Sequence, residues 1–169
     1  MHTEFRKALQ PKEIRSLVAF DHKAFSQYPA DWFHAQHWQL FEAWWLLVDK
    51  KKVGCCAFER NVDFRSDVED TDLNAERKGS LYIASTGILP SYRGLGYGSL
   101  LKAWQISYAR RSGFQRLITN TRRSNRTMIQ LNKKYGFRII RTTAGYYQGP
   151  VEQTVVMELL LRKRERVEN

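Results

Sequence analysis

Apolar positions change their spacing several times along the chain, and each change marks an element. Residues 3–8 form a short extended segment ahead of Pro11. From Lys12-Glu13-Ile14 onward, Ile14, Leu17, Val18 and Phe25 fall on one side of a helical period and predict a first helix. Pro29 interrupts it, and residues 30–41 carry Trp32, Phe33, His37, Trp38 and Phe41 at helical spacings, which predicts a second helix before the sheet. Residues 44–48 and 53–58 are β-prone runs flanking Asp49-Lys50-Lys51-Lys52, the pattern of a hairpin. The polar, acid-rich stretch 60–79 reads as an exposed excursion.

A fourth strand is predicted over 80–89, running into Pro90, and Gly87 inside it predicts a bulge or the close approach of another backbone. A glycine-rich turn leads into a helix over 98–111, with Leu101, Trp104 and Tyr108 on one face and Ser112-Gly113 as its stop. A strand over 116–121, a helix from 125 or 126 to 134 stopped by Gly136, and strands near 137–147 and 154–161 complete the chain. The order is mixed α/β.

Length and charge narrow this picture. A chain of 169 residues with 43% hydrophobic content and five Trp fits one core-bearing domain, placed at 1–162, with a basic tail at 163–169. The longest apolar run, 44–48, is too short to span a bilayer, and the N-terminus lacks the order of a signal peptide, so a cytoplasmic protein without membrane partners is expected. Cys55 and Cys56 are adjacent and point to opposite faces of a strand, which rules out pairing between them and supplies no metal-ligand spacing. The net charge of +11 attracts polyanions, phosphate-bearing cofactors among them, without choosing between them.

The segment Arg93-Gly94-Leu95-Gly96-Tyr97-Gly98-Ser99 lies between a strand and a helix, where backbone N–H groups and the positive end of the helix can surround phosphate oxygens. Glycine permits that approach, and Arg93 adds a fixed charge. A Walker loop needs Lys and Ser/Thr after its last glycine, and a dinucleotide fingerprint needs Gly where Ser99 stands, so neither applies. In its full context, from Ile88-Leu89-Pro90 through Leu101, the segment closely resembles the acetyl-CoA-binding motif of the GNAT superfamily of N-acetyltransferases. Asn125 through Met128 to Lys133-Lys134-Tyr135-Gly136-Phe137 resembles that superfamily's following helix at the usual distance.

The resemblance implies a mixed, mostly antiparallel α/β (α+β) sheet with helices on both faces, its strands splayed at the cofactor site. It further implies transfer of an acetyl group from acetyl-CoA to a primary amine. It puts the pyrophosphate on the backbone of residues 95–99, the pantetheine along the fourth strand, a backbone N–H at the Gly87-Ile88 bulge against the thioester oxygen, and Asn125 near the pantetheine. Tyr146-Tyr147 before the last strand resembles bacterial N-terminal acetyltransferases, which points to a peptide α-amino group as acceptor and to Tyr147 at the acceptor groove. A small-molecule amine acceptor and a CoA-binding regulator without turnover are the alternatives. Nucleic acid is the weaker partner, and a homodimer stays open.

Departures from the superfamily leave the acid and base unassigned. Asn132 stands where many members carry a proton-donating Tyr, and Asn can only hydrogen-bond. Asn120 and Tyr82 occupy the usual base positions, which leaves Glu59 at the end of the third strand as the candidate base by elimination. An α-amino group, with a pKa of about 7.7–8.0, needs that base less than a lysine at about 10.4. Arg122, Arg123, Arg126, Lys133 and Lys134 form a basic run that suits either a ribose phosphate or a solvated face. His34, His37, Trp32, Phe33 and Trp38 read as packing before substrate contact.

Overall fold

The computed structural model describes residues 1–59 and 79–161. The acid-rich stretch and the basic tail therefore lie outside the described residues. The strands are β1 (Thr3–Lys7), β2 (Glu42–Val48), β3 (Lys51–Glu59), β4 (Ser80–Ile88), β5 (Arg116–Arg122), β6 (Arg138–Tyr147) and β7 (Glu152–Leu160). The helices are α1 (Ile14–Ala24), α2 (Ala35–Trp38), α3 (Tyr97–Arg111) and α4 (Arg126–Lys134). The strands form one sheet in the order β1-β2-β3-β4-β5-β7-β6. Every described pairing is antiparallel except β4 with β5.

Alternation along the central strands divides the core into two layers. On one face α1 and α2 set Leu17, Phe20 and Trp38 against Trp45, Cys55 and Ala57. On the other, Tyr97, Leu101 and Ile106 of α3 cover Cys56, Phe58, Leu81 and Leu117. The adjacent cysteines thus serve opposite layers as free thiols. Burial raises both, that of Cys56 to about 12. No helix among the described residues is long and apolar enough to cross a membrane.

The second helix expected over 30–41 is broken. Pro29–Asp31 is a 3-10 turn, Trp32 and His34 are extended, and a four-residue helix follows. The aromatic residues recur at helical spacing because Phe33, Trp38 and Phe41 pack on one another, at centroid separations of 5.0–6.0 Å. They cluster without needing a continuous helix.

Candidate active site

The site begins where β4 and β5 part. Their ladder runs from Ser80↔Arg116 to Ile83↔Thr119 and then ends. Beyond it β4 stays bound to β3, and β5 to β7. At the apex the Thr119 hydroxyl donates to the carbonyl of Ile83 at 3.2 Å, closing the last ladder position with a side chain. The opposite edge of β4 shifts register at the same point: Ala57 faces Ser85 and Phe58 faces Ile83, so Ala84 is an extra residue. This is the bulge, three residues earlier than the sequence suggested.

Gly87 is in register with Cys55, and its lack of a side chain has another cause. A Cβ there would lie 3.2 Å from the Phe25 ring and 3.3 Å from the Ala24 Cβ, so glycine lets the end of α1 sit on β4. Ile88 is in register with Gly54, and β4 lines the cleft through residues 83–86 instead.

Past β4 the chain turns through the glycine loop into α3. Gly94 and Gly96 have φ of +76° and +85°, a conformation that selects glycine, and a Cβ on either would meet nothing within 4 Å. Gly96 caps α3, and the Leu100 N–H takes its carbonyl at 3.1 Å. The N–H groups of Tyr97, Gly98 and Ser99 therefore precede the first intrahelical bond and point out of the helix end. Gly98 has an ordinary φ, and a Cβ there would only touch the Leu131 side chain at 3.7 Å. The Tyr97 ring is buried in the core and Leu95 stands outward, 65% exposed. The Tyr135 hydroxyl donates to the Ser99 carbonyl at 3.0 Å, tying α4 to the loop. This is open space ringed by backbone donors at a helix N-terminus, and it fits a pyrophosphate.

Arg93 departs from the expectation of a free charge beside the anion. Its guanidinium donates to the Ile88 carbonyl at 3.1 Å and the Ala24 carbonyl at 2.5 Å, bracing the end of β4 against the end of α1. Asn125 caps α4, its Oδ1 accepting the Met128 N–H at 3.2 Å, and it lines the cleft.

The cleft itself has a volume of about 340 Å³. Residues 83–86 of β4 and 119–122 of β5 form its floor, α1 with the following 3-10 turn one wall, and Tyr146, Tyr147 and Gln148 the other. Arg122 locks the walls together. It is buried, donates to both oxygens of Asp31 at 2.8 and 2.9 Å and to the carbonyls of Gln148 and Pro150, and lies between the rings of Tyr28 and Tyr147, 4.4 and 4.5 Å from their centroids. Its partners are therefore internal and not a ribose phosphate. Arg123, Arg126, Lys133 and Lys134 are exposed.

Tyr147 does line the cleft. Burial, then the neighbouring Tyr146 phenol and Asp31, push its hydroxyl well above its ordinary value, so it stays a neutral phenol that keeps its proton to donate. Asn120 lines the cleft as well; its Oδ1 accepts from the Tyr82 hydroxyl, and its buried Nδ2 has no partner among the described residues. That donor suits a ligand carbonyl.

Glu59 and Asn132 are placed elsewhere. Glu59 ends β3 in register with Tyr82 and is not among the residues lining the cleft. Asn132 is 0% exposed inside the core, its Nδ2 3.6 Å from the Met157 sulfur, and is likewise absent from the lining.

Besides Asp31, the cleft is reached by the carboxylate of Asp21 of α1, 2% exposed, whose Oδ2 accepts the Phe33 N–H at 2.8 Å. Burial lifts its carboxyl to about 6, the Phe33 N–H working against the rise and Asp31 adding to it. The pattern held a signal for it: Leu17, Asp21 and Ala24 follow at i, i+4 and i+7, which puts an acid on the buried stripe of the helix.

Known proteins share this fold. The fold is similar to that of the ribosomal-protein-S18-alanine N-acetyltransferase of Escherichia coli, with a TM-score of 0.76 and 15% identity over 99% of each chain. It is similar also to yncA of Salmonella typhimurium, solved with its cofactor acetyl-CoA, at a TM-score of 0.73 and 16% identity over 99% of each. N-alpha-acetyltransferase 50 of Danio rerio is 30% identical over 76 residues, 44% of this chain and 45% of that protein. The chain spans about half the length of the curated relatives it matches. The family model described as Acetyltransferase (GNAT) family matches residues 10–137, and the chain belongs to that family.

Proposed function

We propose that the chain is an acetyl-CoA-dependent N-acetyltransferase acting on a primary amine, foremost a peptide or protein α-amino group, with residues 1–162 working as one catalytic domain. The observation that carries this reading is the gap between β4 and β5. It opens at Ile83 and Thr119, leads along an unpaired strand edge to the N-terminus of α3, and meets an aromatic, carboxylate-bearing cleft. Four residue steps from Ala84 to Ile88 give an edge of about 13 Å at roughly 3.3 Å per step, long enough for an extended arm to add as a strand.

The backbone of Gly94, Leu95, Gly96, Tyr97, Gly98 and Ser99 would hold the pyrophosphate, Arg93 would keep the loop in shape, and Asn125 would border the pantetheine. When bound, acetyl-CoA supplies an activated acetyl thioester. A backbone N–H on the open edge of residues 84–86, at the bulge, would face the thioester oxygen and favour the charge that develops there. Asn120 Nδ2 would donate to a carbonyl of either substrate. The Tyr147 phenol would donate to the acceptor. Exposed Arg123, Arg126, Lys133 and Lys134 would draw in the anionic donor.

The relatives named for α-amino and ribosomal-protein alanine acetylation support a protein N-terminus as acceptor. Buried free thiols suit a reducing compartment such as the cytoplasm. Thiol release from acetyl-CoA, measured with peptides bearing free or blocked N-termini and with polyamines, tests the reading. Release with free-amine peptides is expected. Binding of acetyl-CoA without release for any amine would leave a CoA-binding regulator.

A further inference from the structure

Among the described residues, two carboxylates line the cleft, and they are matched differently. Asp31 faces Arg122, which neutralises it through both oxygens. Asp21 accepts the Phe33 N–H, and no lysine or arginine forms an ion pair with it among the described residues. The described groups around it offer no compensating charge. Asp31 comes from the 3-10 turn, the neutral Cys55 thiol from β3 and the Tyr147 phenol from across the cleft, while His37 stands at the exposed mouth. On its own helix His22 stacks on Trp32 at 4.0 Å and Lys23 is exposed. Lys52 of β3 pairs with Glu13.

A buried carboxylate without a cation is unfavourable in the free protein, and such groups concentrate where a ligand brings the missing charge. Here the surroundings describe that ligand. Phe25, Tyr28, Trp32 and Phe33 line the same wall, so the charge arrives with an apolar neighbour.

We propose that Asp21 is the seat and proton acceptor of the acceptor's ammonium group, and that the acceptor is a primary α-ammonium bearing an apolar first side chain. This rests on the acetyl-transfer reading. The Asp21 carboxylate takes one proton from R–NH3⁺, leaving R–NH2. The nitrogen lone pair forms the N–C bond to the acetyl carbon as the C–S bond breaks, the electron pair leaves on sulfur, and the second nitrogen proton neutralises the thiolate. Asp21 then returns its proton to solvent through the cleft. With a value of about 6 the carboxyl is ionised at neutral pH, and it lies about two units below an α-amine, so the transfer is accessible.

The test uses the full chain, acetyl-CoA and a hexapeptide with free α-amine and leucine first, beside its N-blocked form. Asp21→Asn should lower kcat/KM at pH 7 by about 10²–10⁴-fold and recover at least tenfold of that loss by pH 9.5, where the amine is neutral unaided. Acetyl-CoA affinity by calorimetry should stay within about twofold, since Asp21 makes its hydrogen bond to Phe33 and the loop's Arg93 is held by backbone carbonyls. In the unsubstituted protein, carbon-13 NMR of the Asp21 carboxyl should show its midpoint fall by about one pH unit with the free-amine peptide and stay put with the blocked one.

An unchanged pH profile in Asp21→Asn, with transfer intact, overturns the assignment and leaves the transferase reading standing. Loss without recovery at high pH, or a midpoint indifferent to the peptide, also overturns it. Absence of thiol release by the unsubstituted protein with every amine removes the transferase reading and this assignment with it.

Discussion

Replacing Asp21 by asparagine removes a buried negative charge while keeping an oxygen to accept the Phe33 N–H, now 2.8 Å away. The folded chain raises this carboxyl from 3.8 to about 6. At about 1.36 kcal/mol per unit, a rise of roughly two units costs the folded state up to about 3 kcal/mol once the group is ionised. Because the folded value lies above the unfolded one, folded chains hold a proton between pH 4 and 6 that unfolded chains have released. Stability from this group is thus fully present below pH 4 and declines as pH rises through 6. Urea unfolding of both proteins from pH 4 to 8 reads the difference directly. Asp21→Asn should match its parent near pH 4 and exceed it by about 1–3 kcal/mol at pH 8, a gain in stability against the expected loss of activity. A difference that is constant with pH, or a variant less stable at pH 8, would refute the claim that the cleft holds an uncompensated charge.

Gly98→Val should keep its melting temperature within a few degrees, since a Cβ meets only Leu131, yet lose acetyl-CoA affinity by about 100-fold in calorimetry. Arg122→Ala should destabilise by about 3 kcal/mol in denaturant, because it strands Asp31 and Glu152 and unties the walls; Arg122→Lys should not restore the bidentate contact. Glu59→Gln should leave the pH–rate profile unchanged, as its side chain lies outside the cleft; a rate loss relieved at high pH would return it to the reaction. Asn132→Ala should slow turnover by no more than about tenfold, the worth of one hydrogen bond of about 0.5–1.5 kcal/mol, in steady-state assays.

Element order was legible because the strands alternate and α1, α3 and α4 carry one-sided apolar stripes. The glycine loop was legible because left-handed φ at Gly94 and Gly96 restricts the residue type directly. Cys55 and Cys56 fell on opposite layers as strand alternation requires. What local spacing does not carry is the partner. Gly87 left a bulge and a close approach both open because a strand glycine has either cause, and only the fold brings Phe25 onto it. Arg122 read as a cofactor or solvated charge because Asp31, 91 positions away, is its counterion. Glu59 was reached by elimination among strand ends, and Asp21 was passed over although it sits on an apolar helix face, a conflict between polarity and pattern that local spacing does carry.

In the proposed reaction this cleft moves an acetyl group onto a free α-amine. Incubating the full chain with acetyl-CoA and the leucine-first hexapeptide, then reading peptide mass and released thiol together, tests it most directly. One acetyl group should be added at the α-nitrogen per thiol released, and none on the N-blocked peptide. Bound acetyl-CoA with no mass gain on any free amine, or acetyl found on the blocked peptide to the same extent, would contradict it.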